Sequence, residues 1–407
     1  MSAHGHARAI GGEVLDPLMK VLLAIFAVSA VFMAYRFYAG VGAVSNMTDG
    51  YTWGIWEPVN VVVFTGIGAG AYGVGLLCYL LNKGQYHGLV RPAVLVGAIA
   101  YSLGGSSILV ALGRYWNALL LPVVPWWNLS SVLLEVAVCV MSYVAVLWVE
   151  VLPSILDGAA ASASPRWSAI GKRWGPRLDE LMPYIISLAF VLPTMHQSSL
   201  GGLMLLAETK VHPLWHTSLL PLLFLVSCLS MGYGAVVVLV NVLRMKWNAK
   251  VDQKLLASMS KVNAGLLLAY VVLRVGDVVV SGKLRFLGAD VFTLLFVVEL
   301  ALFLAPALMF LSPKVQANRG RLFGAALLAL WGGAAYRVDT YLTVYRPAPG
   351  WNYWPSIGET VITVGMAAIG VAVFIFVSRK FPVVVVDDAD APSTVPSKVA
   401  ATAAVAR

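Results

Sequence analysis

The sequence predicts an all-α integral membrane protein, a bundle of ten transmembrane helices with both termini in the cytoplasm. Hydrophobic residues make up 60% of the 407 residues and charged residues 12%, with a mean hydropathy of +0.83, whereas soluble proteins carry about 25% charged residues. The chain also contains ten apolar runs of about 20 residues, the length that crosses a bilayer as a helix. Because such helices pack into one bundle, we expect a single membrane domain.

The apolar runs define the domain boundaries. In chain order the predicted spans cover residues 18 to 40, 57 to 81, 91 to 112, 128 to 151, 182 to 206, 218 to 243, 257 to 279, 291 to 312, 321 to 343 and 356 to 378. Residues 1 to 17 form a cytoplasmic N-terminal tail without a signal-peptide pattern, and residues 18 to 380 form the membrane domain. Residues 381 to 407 are small, polar and acidic, which predicts a disordered cytoplasmic tail. Residues 157 to 180 are expected to form the one long internal loop.

Lysine and arginine are divided unevenly between the two sets of loops. Of the 28, 19 lie in the termini or beside the loops that follow even-numbered spans. The opposite loops hold five: Arg114, Lys210, Lys283, Arg285 and Arg346. The positive-inside rule then places both termini in the cytoplasm. Basic residues scattered over short loops form no extended patch, so we expect no nucleic-acid partner despite the net charge of +9.

The residues that bind metals and haem are sparse. Cys78, Cys139 and Cys228 lie in separate spans without a C-x-x-C pair, so we expect neither a disulfide nor an iron-sulfur cluster. A haem between helices needs axial ligands within the membrane, and of the six histidines only His196 lies clearly inside a span. We therefore expect no haem and no metal site, with a b-type haem cytochrome as an alternative hypothesis.

A glycine-rich run occurs in the second span. Residues 68 to 73, GAGAYG, match the G-x-G-x-x-G nucleotide fingerprint in letters, but that fingerprint requires a strand before it and a helix after it. Here both flanks belong to one transmembrane helix. Gly66 and Gly70 instead form a G-x-x-x-G pair, which predicts close packing against another helix.

Most ionisable residues within the spans lie toward the outer end. Because charge inside a membrane is costly and usually retained for function, this layer predicts a polar pocket or proton route that opens outward. Ion pairs that only keep helices in register are the alternative. Glu135 is expected roughly 10 Å deep, at about 1.5 Å per residue, and the spacing of Arg274 and Asp277 permits an ion pair on one helix face.

The segment PTMHQSSLGGLM, residues 193 to 204, places His196 among polar neighbours. Pro193 can loosen the helix, and Gln197 adds a donor and an acceptor. A neutral imidazole both donates and accepts hydrogen bonds, and its charge changes near physiological pH. The segment therefore suits a partner that gains or loses protons.

Four segments together resemble a known family. They are YTWGIWEPVNVVVFTGIGAGAY (51 to 72), GRYWN (113 to 117), PTMHQSSLGGLM, and KVHPLWHT (210 to 217) followed by LLPLLFL. They look like NrfD/polysulfide reductase membrane subunits, most closely the HybB-type Ni/Fe-hydrogenase "cytochrome b" subunits. The resemblance implies a haem-free subunit of a respiratory complex in the bacterial inner membrane. Such a subunit passes electrons between a periplasmic ferredoxin-like iron-sulfur subunit and quinone, either menaquinone or ubiquinone, with the hydrogenase small and large subunits as further partners.

The resemblance also guides the choice of site residues. In related subunits the quinone ring meets polar side chains of the helix with the glycine-rich run; here that helix offers Glu57 and Asn60 but no histidine, so His196 becomes the replacement candidate. We predict a quinone pocket lined by Glu57, Asn60, Arg114 and His196. The surrounding groups, which could relay protons, are Glu135, Arg274, Asp277, Glu299, Arg337 and Asp339. No residue of the chain is expected to act as a catalytic group of its own.

A secondary transporter is the alternative function. It would also place charges inside a bundle, often with inverted repeats around a site at the midplane. The halves of this chain show no convincing repeat, and the charges lie off-centre. We therefore favour the redox subunit, and the sequence leaves open whether it also moves protons.

Overall fold

Ten long helices form almost the whole of the computed structural model, which describes residues 7 to 249 and 251 to 385. In chain order they are α1 (Pro17–Ala39), α2 (Trp56–Leu80), α3 (Val90–Ala111), α4 (Val132–Ala160), α5 (Pro165–Leu205), α6 (Leu220–Trp247), α7 (Gln253–Val280), α8 (Val291–Leu311), α9 (Arg319–Val338) and α10 (Ile357–Lys380). Shorter helical turns connect them at Val41–Ala43, Gly84–Leu89, Tyr115–Leu120, Val124–Trp126, Glu208–Lys210, Lys283–Phe286 and Pro313–Ala317. The all-helical prediction is confirmed.

Nine of the helices in the described part of the chain are long and apolar enough to cross a membrane. The exception is α9, which corresponds to the predicted span 321 to 343 and continues into a π-helical segment, Asp339–Thr343. This helix is rich in glycine and alanine and carries Arg337 and Asp339 toward its end, which lowers its hydropathy. The number of ten spans therefore stays a prediction.

Two short strands join the ends of the described chain. β1 (Ala7–Arg8) pairs antiparallel with β2 (Val384–Val385), and Arg379 forms an ion pair of 2.5 Å with Asp16. Both ends therefore lie at the same end of the bundle, called here the terminal end; the opposite end, with the loops that follow odd-numbered helices, is called the outer end. The predicted tail 381 to 407 is wrong in its first residues, since β2 is paired, and 386 to 407 lie outside the described residues.

The predicted loop 157 to 180 is also wrong, because almost all of it is helical. α4 continues to Ala160, and α5 begins at Pro165 and runs for 41 residues. Proline at the first helical position is favourable because its missing N–H would have had no partner there. A search for apolar runs finds only the part of a helix that lies in the bilayer, so the polar extension of α5 was missed.

α2 lies at the centre of the bundle and contacts α6 through backbone. A Cβ on Gly232 of α6 would lie 2.6 Å from the carbonyl carbon of Ala69, and one on Gly70 would lie 3.0 Å from the carbonyl oxygen of Gly232. Only glycine permits this approach. The packing role predicted for the glycine-rich run is confirmed.

Loops at the outer end interlock into one layer, called here the roof (41 to 55, 206 to 219 and 344 to 356). The backbone N–H of His212 donates to the carbonyl of Val344 at 3.1 Å, and Arg346 donates to the carbonyl of Lys210 at 2.6 Å. The Tyr51 hydroxyl donates to the carbonyl of Tyr345 at 3.1 Å. The outer ends of α2, α5 and α9 lie beneath these loops. The roof therefore fixes the outer ends of the three helices that carry the candidate site.

Candidate functional site

His196 lies on α5 and is fully buried. Neither ring nitrogen has a hydrogen-bond partner, and the ring packs edge-on against Tyr101 of α3, with centroids 5.5 Å apart. A buried imidazole without a partner is costly, so two unpaired nitrogens on one ring require an explanation other than packing.

Gln197, the next residue, connects four helices. Its Nε2 donates to the Thr65 hydroxyl of α2 and to the Tyr101 hydroxyl, both at 3.1 Å. Its Oε1 accepts a hydrogen bond of 3.1 Å from Nη2 of Arg337 on α9. The side chain is fully buried, so this amide sets the positions of α2, α3 and α9 around His196.

Arg337 carries a fully buried positive charge. Besides Gln197, it donates to the Ser227 hydroxyl at 2.8 Å and to the carbonyl of Phe224 at 3.1 Å, both on α6. These partners are neutral, Nε has no partner, and no carboxylate of the described residues lies within ion-pair distance. Asp339, two residues on, is half-buried at the start of the π-helical segment. The guanidinium can therefore still attract an anionic group.

Glu57 and Asn60 lie in the first turns of α2, where Trp56–Val63 is π-helical. π-Helical segments are rare in proteins as a whole, but those that occur are often found at functional sites. Asn60 is fully buried; its amide nitrogen approaches the sulfur of Met366 at 3.6 Å, and its Oδ1 has no partner. Glu57 also buries a carboxylate oxygen, Oε2, without a partner. Three of the four predicted ring contacts thus carry unpaired buried polar atoms.

Two of the predicted residues are exposed. Arg114 precedes the turn Tyr115–Leu120, and no hydrogen bond or ion pair joins it to the other three pocket residues in the described chain. The depth predicted for Glu135 is wrong, because α4 begins at Val132 and this residue lies in its first turn. It accepts a hydrogen bond of 2.6 Å from Ser199 of α5, so it borders the site without lying deep in the membrane.

Arg274 and Glu299 form a separate buried network between α7 and α8. Nε of Arg274 lies 2.9 Å from Oε1 of Glu299, and both side chains are inaccessible. The Tyr270 hydroxyl and the Trp215 indole donate to the two oxygens of this carboxylate, each at 2.7 Å. Nη1 of Arg274 donates to the carbonyl of Leu214 at 2.6 Å. Both oxygens of the carboxylate are satisfied, which favours a stable buried ion pair, whereas Nη2 of Arg274 is buried without a partner.

The ion pair that the spacing of Arg274 and Asp277 permitted does not form. Asp277 instead pairs with Lys283 at 2.7 Å and accepts from the Thr217 hydroxyl at 2.6 Å. Lys283 also donates to the carbonyl of His216 at 2.9 Å. Sequence spacing shows which side chains can meet on one helix, but neighbouring helices supplied better partners here.

Roof residues add an aromatic contact above this network. The imidazole of His212 stacks on Phe292 with centroids 4.3 Å apart, and the guanidinium of Arg346 lies over the Phe292 ring, 4.6 Å from its centroid. Burial lowers the pKa of His212, and the charge of Arg346 lowers it further, although Asp290 raises it. His212 is therefore a neutral packing group at pH 7.

Several residues of the site were not among the sequence predictions. Tyr101 and Thr65 contact Gln197, and Trp215 and Tyr270 satisfy Glu299. Tyrosine and threonine are common in transmembrane helices, so the residue type alone did not identify these positions as part of the site. Gln197 was visible as a polar neighbour of His196, but its role depends on three other helices.

Comparisons with known proteins agree with this architecture. The family model described as "Polysulphide reductase, NrfD" matches residues 43–344. The "Probable Ni/Fe-hydrogenase 2 b-type cytochrome subunit" of Escherichia coli (strain K12) is 32% identical over 378 residues, covering 92% of this chain and 94% of that protein. The "Menaquinone reductase, integral membrane subunit" of Nitratidesulfovibrio vulgaris is 29% identical over 180 residues, covering 42% of this chain and 40% of that protein.

The match includes the segments that carry the candidate site. Its range contains α2, α3, α5 and α9, together with most of the roof. With its apolar helices, the chain is a multi-pass protein of the bacterial inner membrane. It belongs to the NrfD family.

Proposed function

We propose that this chain is the haem-free membrane subunit of a respiratory redox complex, and that it passes electrons between an iron-sulfur subunit at its outer end and quinone in the bilayer. The observation that carries the proposal is that α2 and α5 bear unpaired buried polar atoms, on Glu57, Asn60 and His196, and that Gln197 links these two helices to the uncompensated charge of Arg337. The names of the E. coli and N. vulgaris relatives support a hydrogenase or a menaquinone reductase as the type of complex.

These polar atoms suit both redox forms of a quinone. The carbonyl oxygens of a quinone accept hydrogen bonds, which the N–H of a neutral imidazole can donate. The hydroxyls of a quinol donate, and Asn60 Oδ1, Glu57 Oε2 and the second imidazole nitrogen can accept. His196 is thus able to serve either form by exchanging the roles of its two nitrogens.

Arg337 supplies the electrostatic part of the proposal. Electrons that arrive on a quinone before protons build up negative charge on its oxygens. A fixed positive charge in a medium of low dielectric constant stabilises such charge more strongly than it would in water. Glu135 and Asp339 border the same region, whereas we assign Arg274, Asp277 and Glu299 to the stability of the outer end.

Exchange of His196 for alanine is expected to lower quinone-linked turnover and quinone affinity about tenfold, since one hydrogen bond to a buried group contributes about 1 to 3 kcal/mol. The measurement is quinone reduction and quinone binding by the complete complex. The matched control is His87→Ala, because that histidine is exposed at the terminal end of α2. Unchanged turnover and affinity in a correctly assembled His196→Ala complex would show that this ring is no quinone contact.

Absorption spectroscopy tests the haem-free part of the proposal. The purified subunit is expected to show no b-type bands, because His196 is the one fully buried histidine of the described residues, and a haem between helices would need a second axial ligand there. A reduced-minus-oxidised spectrum with b-type bands in stoichiometric amount would contradict it.

Co-purification separates the redox subunit from the alternative of a secondary transporter. A redox subunit that binds no cluster of its own must exchange electrons with a cluster in another protein. An iron-sulfur protein is therefore expected to stay with this chain through mild solubilisation. A transporter would purify without one and would bind its substrate without electron transfer. Electron paramagnetic resonance of the reduced preparation detects the cluster directly.

A further inference from the structure

A crevice lies between α2, α3, α4 and α5 in the half of the bundle nearer the terminal end. Its lining is mostly apolar, with four groups that can carry or exchange protons: Tyr72, Tyr79, Tyr143 and Glu150. Two turns further along α4, Asp157 pairs with Arg91, which also donates to the carbonyl of Pro382 beside β2. Glu150 therefore lies close to the terminal surface and is the carboxylate of this crevice.

Glu150 and Tyr143 share one face of α4. They are seven residues apart, two turns or roughly 10 Å along the axis, and side chains on a helix tilt toward its N-terminus. The chain of α4 enters from the outer end, so both side chains tilt toward that end and remain about two turns apart. Tyr143 is fully buried and its hydroxyl has no partner. A buried hydroxyl that ends in a crevice is an incomplete hydrogen-bond chain, and the crevice, with a free volume of about 10 Å³, has room for about one water molecule beside it.

Two tyrosines lie between the candidate site and the end of the crevice that is nearer the outer end of the bundle. The ring of Tyr143 packs edge-on against Tyr101 with centroids 4.6 Å apart, and the Tyr101 hydroxyl accepts from Gln197. Tyr101 also contacts the His196 ring. Since its hydroxyl uses an acceptor position toward Gln197, its own proton remains available for donation. Tyr143 and Tyr101 thus lie one after the other between Glu150 and His196, and they contact each other and His196 through their rings.

We propose that this crevice is a proton-uptake route from the terminal side, with Glu150 as its entry carboxyl and Tyr143 and Tyr101 as the groups that pass the proton to the quinone site. The proposal rests on the proposed function. Reduction of one quinone consumes two electrons and two protons. Along the route each group gives its proton to the next group and receives one from the group before it, and Glu150 regains its proton from water, so nothing on the route is oxidised or reduced.

The route has a consequence for energy conservation. Electrons enter from the outer end and protons from the terminal end, so each turnover separates charge across the membrane. If the site instead took its protons from the outer end, quinone reduction would separate little charge. The number of charges moved per quinone distinguishes the two cases.

The test uses the complete complex in sealed liposomes, with a short-chain naphthoquinone as the acceptor and a voltage-sensitive dye as the probe. Glu150→Gln is expected to slow turnover at least tenfold and to reduce the charge moved per quinone, without a change in naphthoquinone affinity. Glu150→Asp should restore most of the rate. Glu180→Gln, the same exchange at an exposed position of α5, should behave as the unmodified complex.

Tyr143→Phe provides the second variant. Because the Tyr143 hydroxyl makes no hydrogen bond within the described chain, its removal should leave thermal stability unchanged while slowing turnover as Glu150→Gln does. Unmodified rate and charge movement in both variants would overturn the route, even where His196→Ala still impairs turnover. Absence of quinone turnover in the unmodified complex would overturn the proposed function and the route with it.

Discussion

Exchange of Glu299 for alanine is expected to destabilise the protein by about 3 to 5 kcal/mol, the cost of breaking a buried ion pair. The substitution leaves the inaccessible guanidinium of Arg274 without a counter-charge, and it removes the acceptor of the Tyr270 hydroxyl and the Trp215 indole. The measurement is thermal or denaturant unfolding in detergent. Asp157→Ala is the control: its pair with Arg91 is largely exposed, so its loss should cost at most about 1 kcal/mol.

A double exchange decides whether this network is structural or relays protons. Arg274→Gln together with Glu299→Gln removes both charges and keeps amides that can hydrogen-bond. If the network only fixes the outer ends of α7 and α8, the double variant should regain most of the stability lost in Glu299→Gln, and quinone turnover should recover with it. A stable double variant without turnover would show that the carboxylate takes part in proton transfer.

The helices could be predicted from the sequence because a bilayer selects for length and hydropathy, both of which are local properties. The same reasoning failed where a helix leaves the bilayer: the polar start of α5, 165 to 181, shows no apolar run. It also gave no warning of the π-helical segments at Trp56–Val63, Leu76–Leu80 and Asp339–Thr343, since length and hydropathy do not distinguish a π-helix from an α-helix.

The candidate site was predictable only in part, for a related reason. His196 and Arg337 stand out because polar residues inside a membrane are few. The partners of a charge are not encoded nearby: Arg274 found Glu299 on α8 rather than Asp277 one turn away. Arg114 and Glu135 were predicted to lie in or beside the pocket but are exposed, since a residue near the end of a span can face the surroundings of the protein. Contacts between helices therefore set the chemistry of this site.

Exchange of Arg337 for glutamine is expected to lower quinone turnover by about a hundredfold, the typical loss when one group that stabilises developing negative charge is removed. Its effect on stability should be small or favourable, since a buried guanidinium with only neutral partners, on Ser227, Gln197 and Phe224, costs free energy that a neutral amide does not. Turnover and thermal unfolding of the same preparation measure both effects.

Comparison with Arg274 makes this test specific. Both guanidinium groups are inaccessible, but Arg274 has the carboxylate of Glu299 beside it and Arg337 has none among the described residues. A structural arginine should lose stability on neutralisation, as expected for Arg274→Gln alone, whereas an arginine retained to attract an anion should lose turnover and keep its stability. If Arg337→Gln unfolded the protein as readily as Arg274→Gln, its charge would serve the fold, and the quinone site would have to draw its electrostatic stabilisation from another group.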